Sequence, residues 1–201
     1  MTNRLHPFAP SEVAGRDPVL RHARHERAPA ARTQIAVACA VAAVYLLFPN
    51  RFYTFDALSY AADVREASLL FHPHHLLYSA FCWVSWQAVS FLAPIEPLSV
   101  MAVWSALTTA GAVLLVGSIL RKLEVPASLA LGASLFFAFA YGPWFTGTTA
   151  EVYGFTLLLE AATFRMLLEA TPERRAPVLF GAAMCGLAML FHQTSIFLVP
   201  A

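Results

Sequence analysis

The chain has 201 residues, of which 59% are hydrophobic and only 12% are charged, and its formal net charge is +1. A soluble domain carries roughly 25% charged residues, so this composition predicts an integral membrane protein and argues against a soluble enzyme. The sequence has no phosphate-binding loop, dinucleotide fingerprint, zinc-protease motif or nucleophile elbow, and nothing in it indicates a nucleic-acid partner.

The first 32 residues are rich in Pro, Ala and Arg and show no apolar period, which predicts a disordered tail. A first membrane span is predicted from Thr33 to Phe48, closed by Pro49 and Asn50. Arginines that flank a first span mark the cytoplasmic side. We therefore expect a bacterial-type inner membrane protein with a cytoplasmic N-terminus and a membrane domain over residues 33–201.

Later apolar stretches lie at about 75–93, 98–120, 126–149, 150–170 and 177–201. If all of them cross the membrane, the all-α helix bundle has six spans and Arg121 and Lys122 lie outside. If 75–93 lies in the outer interface instead, five spans remain and most basic residues become cytoplasmic. The positive-inside rule favours this five-span arrangement.

The polar segment between the first two apolar stretches carries Asp56, Tyr60 and Asp63, which would share one face of a helix. A carboxylate at the outer membrane face can act as a general base toward a hydroxyl, or hold a divalent cation. The alternative for Asp56 is a helix N-cap. Asp63 has Arg65 and Glu66 beside it, which favours a solvated face.

Three histidines follow within four residues, at His72, His74 and His75. Ligands this close together rarely all reach one zinc ion in tetrahedral geometry. Imidazole donors suit a lipid-linked phosphate better at a membrane surface. The alternative is a structural role as polar tips at the interface.

Several polar residues occur in the later apolar stretches. Glu151 and Tyr153 lie at an expected outer turn, where an acid in the first turn of a helix is also favourable for structural reasons alone. Glu160 falls inside a span and is expected to face the bundle, while His192 is expected within the last helix, as an interior or a functional histidine. In the five-span arrangement Glu151, Tyr153 and His192 converge with Asp56 and the histidines on one extracytoplasmic pocket.

The segments TFDALSY, LFHPHHLLY and TAEVYGF, in this order after a first span, resemble the N-terminal half of GT-C-type integral membrane glycosyltransferases, nearest to the protein O-mannosyltransferase branch. The resemblance implies that Asp56 is the catalytic base. It also implies that His72, His74 and His75 lie near the donor phosphate. The substrate pocket would be completed by Tyr60, Glu151, Tyr153 and His192.

The resemblance further implies a hexosyltransferase that uses a polyprenyl-phosphate-linked sugar donor in the lipid membrane and an extracytoplasmic acceptor. No second acid stands directly beside Asp56, so the metal question stays open between no cofactor and a divalent cation. Such enzymes usually continue through further helices, so we expect a chain incomplete at its C-terminus or a second subunit. The alternative is a non-catalytic polytopic membrane protein, a transporter half or an accessory subunit, in which Glu160 and His192 serve proton coupling.

Overall fold

The computed structural model describes the backbone of residues 18–199 and the side chains of residues 31–199. The described part of the chain is all-α and contains no β-strand, which confirms the predicted fold class. Its elements in chain order are α1 (Pro18–Leu47), α2 (Phe55–Glu66), α3 (Tyr78–Ser90), α4 (Pro97–Lys122), α5 (Ala127–Phe139), α6 (Tyr141–Thr148), α7 (Tyr153–Leu167), α8 (Ala176–Phe191) and a 3-10 helix (Gln193–Leu198).

Helix α4 is the central element of the bundle. It has 26 residues, a length of about 39 Å, and it packs against α1, α2, α3, α5, α6 and α7. Among the described helices it alone is long and apolar enough to cross a membrane unbroken, and α5 with α6 qualifies only as a bent pair. The apolar part of α1 and helix α8 are shorter, so the predicted count of five spans is not confirmed.

The stretch predicted as one span over 126–149 is divided in two. Helices α5 and α6 meet at Ala140, whose backbone is extended, and their axes differ by 61°. Pro143 explains the break, because it has no N–H to continue the hydrogen-bond ladder and its ring clashes with the carbonyl four residues earlier. In the first turn of a new helix such a residue is tolerated.

Helix α3 covers the middle of the stretch whose crossing was in question. Its 13 residues reach about 20 Å, which is short against a hydrocarbon core of about 30 Å. The helix packs beside α2 and on α4, and the interfacial placement of 75–93 stays a prediction.

The two ends of the described chain differ from the sequence prediction. Residues 1–17 of the predicted disordered tail lie outside the described residues, whereas α1 starts at Pro18, well before the predicted Thr33. Proline is accommodated at the start of a helix, and Ala, Leu and Arg after it are good helix formers. At the other end His192 does not continue α8 but ends it in an extended conformation.

Helices α4 and α7 are in close contact at Gly154, where small and hydroxyl side chains meet. A Cβ on Gly154 would lie 2.5 Å from Oγ1 of Thr108 and 3.0 Å from the carbonyl oxygen of Ser105. The nearby buried core contains Tyr78, Met101 and Phe155. This crossing fixes the α6–α7 turn against α4, and the candidate site is built on that turn.

Candidate functional site

Helix α2 is positioned by Thr54, its N-cap residue. The Thr54 hydroxyl oxygen accepts a hydrogen bond from the backbone N–H of Ala57 at 3.0 Å, which satisfies one of the free donors of the first turn. The same hydroxyl donates to Oε1 of Glu151 at 2.7 Å. A single side chain therefore joins the start of α2 to the α6–α7 turn.

Glu151 is held a second time through its backbone. The hydroxyl of Ser105 donates to the carbonyl oxygen of Glu151 and accepts from its N–H, both at 2.9 Å. Ser105 is fully buried in α4, and Glu151 is 4% exposed. Burial raises the pKa of the Glu151 carboxyl, the Thr54 hydrogen bond lowers it, and the charge of Asp56 raises it. The protonated form is thus favoured relative to a carboxyl in water.

Asp56 lies in the first turn of α2 with an exposed side chain. Because Thr54 occupies the cap position, the alternative in which Asp56 is the cap is wrong. Within the described part of the chain, Asp56 has no hydrogen-bond or ion-pair partner. Burial raises the pKa of Tyr60 and of Glu151 most, and the negative charge of Asp56 raises both further. The carboxylate is therefore free to act on a ligand.

Tyr60 and Asp63, which were predicted to share one face of α2, lie in different surroundings. Tyr60 packs edge-on against His75, with ring centroids 4.6 Å apart, and against Tyr78 at 5.4 Å. Asp63 instead accepts a hydrogen bond from the hydroxyl of Ser68 at 3.2 Å, at the far end of the helix. Asp63 therefore belongs to the end of α2, as its charged neighbours suggested, and Tyr60 belongs to the site.

The three histidines form a tight turn between α2 and α3. The N–H of His75 donates to the carbonyl oxygen of His72 at 3.1 Å, and the N–H of His74 donates to Nδ1 of His72 at 3.3 Å. The rings of His72 and His75 stack with centroids 4.3 Å apart and planes 14° apart. The turn therefore presents its imidazoles as one group.

This histidine turn is attached to the end of α8. The backbone N–H of Gln193 donates to the carbonyl oxygen of His74 at 3.0 Å, and the two side chains meet at 2.5 Å. The His192 ring lies parallel to that of His75, with centroids 6.5 Å apart, and 5.1 Å from the ring of Tyr153. The extended backbone of His192 turns its ring toward the histidine turn, and this is how α8 reaches the site.

His75 is the most enclosed imidazole of the group. It is 3% exposed, and neither of its ring nitrogens has a hydrogen-bond partner among the described residues. Burial, and after it the neighbouring His72, His192 and His74 in that order, lower the pKa of His75 to about 4. His75 is therefore neutral at pH 7 and carries one ring N–H that no described residue accepts.

The structure thus brings the predicted site residues together at one end of the bundle. They are Asp56, Tyr60, His72, His74, His75, Glu151, Tyr153 and His192. Their catalytic and binding roles stay predictions. In the part of the chain with described side chains, no group of three or more His, Cys, Asp or Glu residues is arranged to hold a metal ion.

Thr54, Ser105 and Ser195 are polar partners that the sequence analysis did not single out. Ser195 is buried and donates to Oε1 of Glu160 at 2.9 Å, so the Glu160 carboxyl has a partner within the bundle. A threonine just before a helix is a readable N-cap signal. Ser105 and Ser195 carry no such signal, because each contact depends on where a distant element packs.

A family model described as the Protein O-mannosyl-transferase TMEM260 N-terminal domain matches residues 72–201. The match covers the histidine turn, Glu151, Tyr153 and His192, whereas Asp56 and Tyr60 precede it. Comparison with curated proteins and with solved structures found no match.

Proposed function

Because the chain belongs to the protein O-mannosyl-transferase TMEM260 N-terminal domain family, we propose that it transfers a hexosyl group, in the first instance mannosyl, to a hydroxyl of a protein acceptor. The donor is a sugar linked to a polyprenyl phosphate, and the reaction takes place on the extracytoplasmic side. Membership of this family supports the glycosyl-transfer part of the proposal. The donor, the sidedness and the residue roles are our proposal.

One observation carries the assignment of roles. A free, exposed carboxylate, that of Asp56, lies at the same end of the bundle as a group of imidazoles that includes the unpartnered His75. Glycosyl transfer from a phosphate needs these two functions on either side of the reacting carbon. A base must take the acceptor proton, and donors must stabilise the phosphate oxygen as it leaves.

In the proposed reaction the acceptor oxygen attacks the anomeric carbon of the donor sugar and its proton passes to the Asp56 carboxylate. The bond from the anomeric carbon to the phosphate oxygen breaks, and the electron pair remains on the polyprenyl phosphate. Hydrogen bonds from His72, His74 and His75 stabilise this developing charge. Because His75 is neutral at pH 7, it contributes an N–H dipole rather than a full charge before the phosphate arrives.

Glu151 is proposed to hold the acceptor or the sugar. Two hydroxyl side chains fix it, Thr54 on the carboxylate and Ser105 on the backbone, so its position is set before any substrate binds. Tyr153 and His192 pack on each other at the exposed edge of the same group. Such aromatic surfaces suit the apolar face of a sugar ring.

The test is transfer of mannose from a polyprenyl-phosphate donor by the purified full chain in lipid, comparing Asp56→Asn with Asp63→Asn. Asp63 lies on the same helix and is bonded to Ser68, so its variant is a matched control for the loss of one carboxylate. We expect Asp56→Asn to lower the rate by about 100-fold or more, in the range of a lost general base, and Asp63→Asn to stay near the wild-type rate.

Membrane insertion and thermal stability of both variants should equal those of the wild type. Asp56 makes no contact that holds α2 in place, and the side-chain oxygen that remains in Asp63→Asn can still accept from the hydroxyl of Ser68. Retained turnover in Asp56→Asn would remove this residue from the base role. An equal loss in both variants would mean that the effect comes from the charge of α2 rather than from a proton transfer.

A further inference from the structure

A cleft of about 830 Å³ lies between α1, α4 and α7, away from the candidate site. The lining side chains are of two kinds, apolar and charged, and include Ile35, Leu114, Leu115, Arg121, Lys122 and Arg165. Along α4, Arg121 is 16 residues after Ser105, which is roughly 24 Å at 1.5 Å per residue. The cleft and the site are therefore separated by a distance comparable to the hydrocarbon thickness of a bilayer.

The floor of the cleft is fixed by a close approach of α1 and α4. Gln34 is 7% exposed, and its side-chain amide donates to the hydroxyl of Ser134 at 3.0 Å. A Cβ on Gly117 would overlap the Gln34 amide, so this amide occupies the space that a side chain at position 117 would need. The space above the floor is thus a feature of helix packing.

One wall of the cleft carries an ordered cation. Arg165 donates through Nε to the hydroxyl of Ser118 at 2.9 Å and pairs with Glu169 at 2.6 Å. Arg165, Lys122 and Arg174 together lower the pKa of the Glu169 carboxyl, so this acid is already surrounded by cations. Arg121 and Lys122, in the last turn of α4, have no ion-pair partner among the described residues.

We propose that this cleft binds the headgroup of an anionic phospholipid, with its phosphate at Arg121 and Lys122 and the start of an acyl chain against Ile35, Leu114 and Leu115. Any phosphate ester would satisfy the two basic side chains. The apolar wall in the same cleft favours a lipid over a free ion, because only a lipid presents both chemistries side by side. The lining also holds Glu124 and Glu169, which disfavours ligands of high negative charge and suits a monoanionic phosphodiester.

The experiment uses the full chain purified in mild detergent and exposed to an equimolar mixture of phosphatidylglycerol and phosphatidylcholine. Native mass spectrometry then counts the retained lipids. We expect phosphatidylglycerol to be preferred, and Arg121→Gln with Lys122→Gln to lower that preference by roughly 10-fold to 30-fold. The basis is that one basic side chain near an anionic lipid surface is worth about fivefold in binding.

The matched control is Arg51→Gln with Arg65→Gln, which removes two basic residues from the α2 side of the bundle, and it should leave the preference unchanged. The charge-conserving Arg121→Lys should also keep it, which separates a lost charge from a damaged fold. An equal loss in the control pair would overturn the assignment to the cleft.

A parallel arm adds inorganic phosphate to the lipid-loaded protein at increasing concentration and matched ionic strength. If phosphate displaces phosphatidylglycerol at millimolar concentration, the cleft recognises the ion and the lipid assignment is wrong. Resistance to displacement supports the lipid. None of these readouts needs transferase activity, so failure here leaves the proposed reaction untouched and the reverse also holds.

Discussion

The two ends of α4 are built from opposite kinds of side chain. At the Ser105 end, short hydroxyl groups and Gly154 bring α4 and α7 into direct contact, and the buried Ser105 is bonded to the backbone of Glu151. At the Arg121 end, long charged side chains border an open cleft, and the charges are only partly paired. Close packing leaves little freedom to the first end, whereas long side chains adapt to what binds the second.

This difference in packing corresponds to a difference in what the two ends of α4 are proposed to bind. A catalytic group must be held in place before the substrate arrives, and Glu151 is held by two hydroxyl groups, that of Thr54 on its carboxylate at 2.7 Å and that of Ser105 on its backbone at 2.9 Å. A lipid headgroup is a variable ligand, for which two flexible cations are sufficient. Substitutions at the site end should therefore be far more costly to the fold than substitutions at the cleft end.

The largest effect is expected from Gly154→Ala. The added methyl group would lie 2.5 Å from Oγ1 of Thr108 and 3.0 Å from the Ser105 carbonyl oxygen, so α4 and α7 must separate. We expect a loss of about 3 kcal/mol in the free energy of unfolding, at the upper end of overpacking costs. Chemical unfolding of the protein in detergent measures it.

The matched control for this prediction is Gly186→Ala, in the middle of α8. A Cβ at Gly186 meets no atom within 4 Å, so only the helix propensity changes. The free energy of unfolding of that variant should be higher than that of the wild type by about 0.5–1 kcal/mol. If Gly154→Ala were as stable as Gly186→Ala, the close crossing of α4 and α7 would be disproved.

The next largest effect concerns acid. Burial lowers the folded-state pKa of His75 to about 4, below its usual value of 6.5, so the neutral ring is favoured by folding. The stabilising contribution is therefore complete above pH 6.5 and is lost as the pH falls toward 4. We expect the free energy of unfolding of the wild type to fall by roughly 2 kcal/mol over this range. His75→Phe keeps an aromatic ring but cannot ionise, so its free energy of unfolding should fall much less.

The control for the acid experiment is His74→Gln, since His74 is exposed and its charge is the smallest of the causes that lower the pKa of His75. This variant should keep most of the acid sensitivity. If His75→Phe and the wild type unfold in parallel between pH 6.5 and 4, the burial of a neutral His75 is contradicted.

Much of the site could be predicted from the sequence, because local patterns indicate where its helices and turns lie. The apolar stretches predicted where helices lie, and the bias of basic residues predicted which turns share a face. That reasoning grouped Asp56, Glu151 and His192, and the structure places them together at one end of the bundle.

What the sequence could not supply depends on packing between distant segments. The bond from Thr54 to Glu151 joins residues 97 positions apart, and that from Ser105 to Glu151 joins residues 46 apart. The periodicity of the sequence does not predict such a pair, because serine and threonine also occur commonly on helix surfaces without a distant partner. Pro143 indicates a helix break near Ala140, but the continuous high hydropathy over 126–149 led to the prediction of one unbroken span.

The smallest effect, and the one that most directly tests how the site end is held, is expected from Thr54→Val. This change keeps the shape of the side chain but removes both the cap of α2 and the donor to Glu151. We expect a loss of about 1 kcal/mol from the cap alone, independent of pH. The loss of the Glu151 hydrogen bond adds a second contribution that does depend on pH.

The sign of that dependence follows from the raised pKa of Glu151. A carboxyl whose folded-state pKa exceeds its unfolded value contributes full stability below the unfolded value, and the contribution is lost as the pH rises through the folded value. The Thr54 hydrogen bond opposes the rise, so Thr54→Val raises this pKa further, and its deficit relative to wild type should grow from pH 4 to pH 7. Thr54→Ser retains the hydroxyl and should show no such growth. An equal deficit at both pH values would mean that Thr54 only caps α2, and Glu151 would then be positioned by Ser105 alone.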